Sequence, residues 1–384
     1  MSESRYAKFA VYAGAFSGPL AGNSVLAIVP LLEVEFGISV AEVLLSISFY
    51  MFPFAIFSFF SGSISDIYGR RKVVTFGFLV YAIGALLCAS SNDVMTFYIS
   101  RGVQGFGYAF VNPVLVAILA EVTPSDSRGR NMGFLAAATT GGVAFGPLMA
   151  GAFSEWDWRI VFIVIALLCL ICNYAILKTY KGASFVASGV SIGSMMGNVP
   201  RALKNKGVLL ISAIGFVTFF CYIGALSFVS DVLARPPIDA SGRLIGILIA
   251  LTGGAGIFAA PFGGSLSDRI GRSRTAALGL LILLATTILM ANSTTIWMFA
   301  MALVLLGTGA QILWASLFAL VVELVSEIKG TVSSVFNSSR FMGYAISPLV
   351  LGPVYLSSGF DMVLTFTSIA LIIGIGLTVI LERS

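Results

Sequence analysis

Histidine is absent from the 384 residues, and charged side chains of both signs together make up only 10% of them. The first absence excludes a histidine proton relay and a histidine-ligated metal centre, imidazole being the side chain that ordinarily titrates near neutral pH. The second excludes an ordinary water-soluble domain, in which about a quarter of residues carry charge. Cysteine is scarce too, and Cys88, Cys169, Cys172 and Cys221 all lie in apolar runs. Cys169 and Cys172 form a C-x-x-C with no second pair and no strand–helix–strand setting, so all four read as buried, inert thiols. No acid pair falls inside an apolar run, which argues against an intramembrane enzyme. No metal or other cofactor is expected.

What the chain has instead is apolar length, with 58% hydrophobic residues. Runs of about 20 apolar residues are long enough to cross a bilayer as helices. They fall at 8–32, 41–65, 73–91, 94–122, 131–154 and 159–178, then at 207–231, 243–265, 275–292, 294–323, 331–354 and 360–381. The first begins after Arg5 and Lys8, lacks a small-residue cleavage site, and reads as a span and not as a removed signal. The spacing thus predicts an all-α membrane protein of twelve helices, divided into a six-helix bundle at 1–178, a linker at 179–206 and a second bundle at 207–384. With the N-terminus inside, seventeen of the 22 basic residues fall on the inner side, and Arg159, Arg235 and Arg243 on the outer. That bias predicts both termini in the cytoplasm. It also accounts for the net charge of +5 without nucleic acid. The linker, with Lys181, Arg201, Lys204 and Lys206, reads as a cytoplasmic segment able to lie on anionic lipid.

The bundles are copies. The polar hinge Gly62-Ser63-Ile64-Ser65-Asp66-Ile67-Tyr68-Gly69-Arg70-Arg71-Lys72 returns 202 residues later as Gly264-Ser265-Leu266-Ser267-Asp268-Arg269-Ile270-Gly271-Arg272. The same step relates Gly105 to Gly307 and Glu121 to Glu323, and a step of 201 relates Gly142 to Gly343 and Pro147 to Pro348. Two parallel repeats of this kind are a transporter architecture.

These residues carry a family resemblance. The hinge resembles the G-x-x-x-D-x-x-G-R-R/K loop of the major facilitator superfamily, and Arg101-Gly102-Val103-Gln104-Gly105 is similar to its R-x-x-Q-G pattern. Gly133, Gly142, Gly146-Pro147 and Gly151 resemble the fifth-span signature of its proton-linked drug antiporters, with Ala150 in place of one glycine. The resemblance implies two bundles rocking about a central site, with protons as the coupling ion. It implies that Gly62, Asp66, Gly69, Arg70, Arg71 and Glu121, with Gly264, Asp268, Gly271, Arg272 and Glu323, latch the cytoplasmic side. It implies that the fifth-span glycines seal the halves against leak. Those antiporters often have an acid in the first span, seven before a proline; counted from Pro30, that place holds Asn23. Proton candidates are then Glu33, Glu35, Asp231 and Glu121.

Read from the residues themselves, Gly69 and Gly271 supply backbone freedom for a tight turn, and Gly62 and Gly264 a close helix approach. Arg101, Gln104, Tyr108 and Asn112 share a helix face and would line the cavity; the alternative is an Arg101 that snorkels outward. Arg340 lies about ten residues into its span, too deep to snorkel, with Asn337, Tyr344 and Ser347 on its face and Thr139 as repeat counterpart. A substrate contact favouring a negative or strongly polar group is expected there, the alternative being a structural bridge to backbone carbonyls. Tyr222, Gln311, Trp314 and Asn23 complete the expected cavity, with simple packing as the other reading of the aromatics. The function expected is proton-coupled efflux of amphipathic, drug-like molecules by a monomer; the alternative is a carrier of organic anions, sugars or other metabolites.

Overall fold

The computed structural model describes residues 2–124, 127–180, 192–324 and 328–383; Lys181 and the middle of the expected linker lie outside them. The first bundle comprises α1 (Ser2–Phe36), α2 (Val40–Tyr68), α3 (Arg70–Ala89), α4 (Val94–Ala109), α5 (Asn112–Val122), α6 (Arg128–Phe153) and α7 (Arg159–Thr179). A connecting helix α8 (Ile192–Lys204) precedes α9 (Lys206–Ser227), α10 (Val229–Ala234), α11 (Gly242–Ile270), α12 (Arg272–Ala291), α13 (Ile296–Leu324) and α14 (Lys329–Arg383). Among the described residues there is no strand. Lipid offers backbone groups no partner, so each apolar run must satisfy its own amides as a helix.

Among the described residues eleven helical stretches are long and apolar enough to span a membrane, with α4 and α5 counting as one and α9 and α10 as another. The last runs for 54 residues, Gly330–Arg383. That is about 80 Å of helix against a hydrocarbon core of about 30 Å. It is broken at Gly359, whose φ of 77° and ψ of −175° are not helical, so α14 is two spans and the total is twelve. The break falls between the expected spans 331–354 and 360–381.

Helix starts obey capping chemistry. Ser39 and Glu42 form a reciprocal capping box on α2, and the Asp93 carboxylate accepts from the Thr96 amide at 2.9 Å on α4. Gly69 and Gly271, the paired hinge glycines, have φ of 90° and 93°, a region costly to any residue with a Cβ.

Packing repeats along with sequence. In the first bundle α4 packs on α2 and α3 while α6 packs on α1; in the second, α13 packs on α11 and α12 while α14 packs on α9. Between bundles the contacts are α2 with α14, α6 with α11, and α1 with α10 and α11, and α8 rests against α14, α9 and α2.

These contacts favour one end. Far from the hinge, a Cβ on Gly352 would sit 3.0 Å from that of Ala41, and one on Gly246 would sit 2.4 Å from the Pro147 carbonyl oxygen. Nearer the middle, Ser48 Oγ donates to the Ala345 carbonyl at 2.6 Å and Ser338 Oγ to the Ala55 carbonyl at 3.0 Å. Toward the hinge, a Cβ on Gly62, Gly133 or Gly264 would meet no atom within 4 Å. Joined at the far end, the bundles make no such contact at these hinge-end glycines and part toward the hinge. Gly62 and Gly264 therefore do not make the close approach expected of them here. Gly133 plays no part in a seal in this state either.

The expected fifth-span seal is divided. A Cβ on Gly142 or Gly146 would collide with the carbonyl oxygens of Phe16 or Leu20, at 2.3 and 2.4 Å, so these two seat α6 on α1 inside its own bundle. Gly151 is the member that meets the other bundle, its built Cβ lying 2.9 Å from Gly246 Cα. Pro147 meets it through its carbonyl.

Candidate functional site

At the hinge end, Arg70 pairs with Asp66 at 3.2 Å and with Glu121 at 2.7 Å, and Tyr180 donates its hydroxyl to the same Glu121 carboxylate. Three expected latch residues thus form one cluster, confined to the first bundle. Arg71 stands apart and donates to the Leu177 carbonyl at 2.6 Å. In the second copy Arg272 pairs with Glu323, while Asp268 makes no ion pair among the described residues.

At the far end a second cluster joins the bundles. Arg235 donates through Nε to Asp231 at 2.8 Å and its Nη2 lies 3.9 Å from Glu33 of α1. Tyr355 of α14 donates its hydroxyl to Asp231, and the Glu33 and Asp231 carboxyls are within hydrogen-bonding reach of each other. Asp231 is 2% exposed. Glu35 instead pairs with Arg159 at 2.7 Å within its own bundle. Sequence reasoning found the two acids here but missed Arg235 and Tyr355. The four-residue step from Asp231 to Arg235 was a usable signal; the contact with Tyr355 is not local and left none.

The expected Arg101 stripe neither lines the open space nor snorkels. Arg101 and Gln104 are both 0% exposed. The Arg101 guanidinium donates through Nη1 to the Gln104 side-chain oxygen and, at 3.4 Å, to the Ala21 carbonyl. It lies 4.3 Å from the Tyr50 ring centroid, and its Nε and Nη2 face no acceptor. Tyr108, 4% exposed, donates to the Ala15 carbonyl at 3.3 Å and stacks on Phe54 at 5.2 Å. Asn112, half-buried, opens α5. Helix spacing groups Arg101, Gln104 and Tyr108 but cannot say which neighbouring helix covers them, and here α1, α2 and α7 do; Asn112 lies beyond the interruption of the helix at Phe110 and Val111. Asn23 is likewise closed off, its Nδ2 donating to the Pro19 carbonyl at 2.8 Å.

Arg340 has a different setting. It is half-buried, and four phenylalanine rings surround its Cζ: Phe341 at 4.4 Å, Phe318 at 4.6 Å, Phe219 at 5.1 Å and Phe336 at 5.8 Å. Each ring face attracts the cation, by about 0.5–2 kcal/mol. None is a good acceptor for its five N–H groups. Among the described residues no carbonyl or carboxylate accepts from Arg340, and its Nε is buried without a partner. A bridge to backbone carbonyls is not what the guanidinium makes.

Other polar atoms around it are also unpaired: Trp314 Nε1, Tyr344 Oη and Asn337 Oδ1. Trp314 stacks on Phe219 at 4.7 Å and meets Tyr222 edge-on at 5.3 Å. Phe219 also reaches Phe341 at 5.7 Å, and Phe341 meets Phe54 of the first bundle at 4.7 Å, so the rings run from one bundle into the other. Gln311, half-buried, lies beside Gly256 of α11. Thr139 spends its hydroxyl on the Leu135 carbonyl at 2.9 Å, and Ser347 bonds the Phe220 carbonyl at 2.8 Å. Through Phe219 the structure connects Arg340 with Trp314, Tyr222 and Tyr344, and it adds the four phenylalanines around the guanidinium. Phe336 and Phe341 flank Arg340 on α14, a spacing visible in the sequence.

Two bundles, a one-sided opening and an aromatic, donor-rich site at their junction agree with what comparison with known proteins finds. The chain is 25% identical over 344 residues to the bacillibactin exporter of Bacillus subtilis, covering 86% of this chain and 85% of that one. It is 27% identical over 322 residues to the multidrug resistance protein MdtG of Salmonella typhi, covering 82% and 78%. Its fold matches that of a bacterial homologue of the human lysosomal transporter Spinster, in an inward-facing, unoccupied conformation, with a TM-score of 0.78 over 99% of this chain and 97% of that one at 16% identity. The Major Facilitator Superfamily model matches residues 11–235 and 208–384, so this chain belongs to that superfamily of membrane transporters.

Proposed function

We propose that the protein is a secondary active exporter of amphipathic, drug-like compounds, working as a monomer by alternating access in the cytoplasmic membrane. The observation that carries this reading is the junction itself: bundles joined at the far end, parted at the hinge end, with the ring-lined Arg340 site between them. The basic residues gathered at the hinge end support a cytoplasmic hinge and cytoplasmic termini, so the space opens inward. In this reading residues 1–178 and 207–384 move as the two bodies and 179–206 links them. The exporters named above support the direction of transport.

Proton coupling is assigned to the far-end cluster. Asn23 carries no titratable proton, whereas Glu33 and Asp231 face each other across the bundles with a single guanidinium, Arg235, between them. Two carboxylates and one cation leave a net negative charge, and a proton entering from outside relieves it. Protonation holds the outer end shut; losing the proton drives the carboxylates apart and opens it. When the bundles close at the hinge end, the Arg70 cluster and its Arg272 counterpart latch them.

Proteoliposomes with an imposed pH gradient test this. Uptake into inside-out vesicles is expected to rise with an acidic lumen and to lose that dependence in Glu33→Gln and Asp231→Asn. Transport indifferent to the gradient sinks proton coupling and favours the second reading, a facilitator or symporter for metabolite anions, which the neutral Asn23 supports.

A further inference from the structure

The proposed export reading leaves the chemical class of the substrate open, and the surroundings of Arg340 narrow it. We infer that Arg340 and Trp314 form a recognition site for the carboxylate of a planar aromatic acid, whose ring system lies among Phe219, Phe318 and Phe341. This rests on the transporter reading but makes a claim about binding that stands or falls separately.

The argument is one of unmatched donors. A guanidinium offers five N–H groups in a rigid fork that fits a carboxylate through two parallel bonds. In the described structure Arg340 donates to no protein atom, and its Nε is sealed from solvent. One more donor beside it is idle, the Trp314 indole N–H. Tyr344 follows Arg340 by four residues, but its hydroxyl faces Tyr222, Tyr50 and Arg101 and not the Arg340 fork. Trp314 stacks on Phe219 at 4.7 Å between ring centroids, and Phe219 lies 5.1 Å from the guanidinium carbon. The unpaired donors of Arg340 and Trp314 thus flank one ring. Buried polar groups in folded proteins are normally satisfied, and a set left open together marks what a ligand completes.

The charge sign follows from the same census. No acid is paired with Arg340, so the site carries a net positive charge that an organic cation would have to overcome. Asn337 Oδ1, also unpaired, adds one acceptor, suited to a hydroxyl or amide N–H on the same ligand. The rings set the shape, since flat apolar bodies stack on them at little conformational cost. The repeat provides an internal control. Thr139, the counterpart of Arg340, is already satisfied by the Leu135 carbonyl, so the matching position of the first bundle offers no unpaired donor.

Binding of three probes of one shape to the purified, full-length protein tests the inference: 1-naphthoate, 1-naphthylmethanol and 1-naphthylmethylamine, by equilibrium dialysis with protein-free micelles as the blank. Naphthoate is expected to bind about tenfold or more tightly than the alcohol, and the amine most weakly. Arg340→Gln is expected to abolish that order, and Arg340→Lys to weaken naphthoate about tenfold, since an ammonium keeps the charge and loses the fork. Trp314→Phe should cost naphthoate a few-fold and leave the alcohol unchanged. Equal affinity of the wild type for all three probes, or an unaltered preference in Arg340→Gln, overturns the site. Should Arg340→Gln not fold, Arg340→Lys and Trp314→Phe decide it. Naphthoate binding without any transport in vesicles would instead count against the export reading and leave the site standing.

Discussion

In the first bundle Gly105 lets α4 close on α2, and in the second Gly307 lets α13 close on α11. A Cβ on either would fall 1.9 Å from a carbonyl oxygen, that of Tyr50 in one case and of Thr252 in the other. Gly142 and Gly343 repeat the pattern at 2.3 and 2.2 Å, against Phe16 and Phe216. The bundles are copies where backbone meets backbone. They part company over a buried arginine. Arg101 of the first is enclosed and donates to Gln104 and Ala21; Arg340 of the second is held by rings and donates to nothing in the described protein. Duplication has preserved the scaffold, while the side chains set into it have diverged.

The sharpest way to break that comparison is to strike what the copies share. Gly105→Ala and Gly307→Ala force a methyl into a backbone carbonyl that cannot turn aside, and each should cost about 3 kcal/mol. The two losses should be similar. All four cysteines are buried, so a thiol-reactive dye reports unfolding of either variant directly. A tolerant Gly307→Ala beside an unfolded Gly105→Ala would mean that the copies are not equivalent in packing.

Next in size is the contrast itself. Arg101→Ala leaves a cavity in a fully enclosed position and strands the Gln104 oxygen, for a loss of about 2–3 kcal/mol. Arg340→Ala strands no hydrogen-bond partner and removes a charge set among apolar rings, which offsets the cation–ring attraction it gives up, so stability should change by less than about 1 kcal/mol. The same melting measurement decides, and equal losses would remove the distinction between the two arginines.

How much of this could be read from the chain depends on which force fixed each feature. The spans were legible because lipid leaves a 20-residue apolar run no other fold, and the break at Gly359 falls where hydropathy divides the last two. The hinge turns were legible because Gly69 and Gly271 occupy a backbone region that other residues pay to enter. The meeting of Arg70 with Glu121 followed from one repeat matching the other. What periodicity could not supply was the rotation of each helix toward its neighbours. Arg101 and Gln104 share a face as expected, but that face turns into its own bundle. Nor can spacing tell which state the bundles occupy, and this is why Gly62, Gly264 and Gly133 were assigned contacts that a hinge-open structure does not make. The far-end cluster depends on Tyr355 and Glu33 arriving from distant segments, which no local pattern announces.

A smaller effect separates the two hinge clusters. Arg70 serves Asp66 and Glu121 with about a quarter of each side chain exposed, whereas Arg272 serves only Glu323, whose side chain is 54% exposed. Solvent screens such pairs, so Arg70→Gln should cost about 0.5–1 kcal/mol and Arg272→Gln less. The Arg70 loss should shrink in high salt, as exposed ion pairs do. A larger loss from Arg272→Gln would reverse the ranking of the copies at the hinge.

The smallest expected change in stability is the most telling about motion. Gly62 and Gly264 have open space where a Cβ would go, so alanine at either should leave the melting temperature of this hinge-open state unchanged. If the hinge end closes during the cycle, the same glycines must come against the opposite bundle, and a methyl there obstructs only the closed form. Gly62→Ala and Gly264→Ala should therefore melt like the wild type and transport several-fold more slowly, a split between stability and rate that a purely structural glycine does not produce. Wild-type transport rates in both variants would mean that closure does not use these surfaces, and the latch would have to be sought elsewhere along the Arg70 and Arg272 helices.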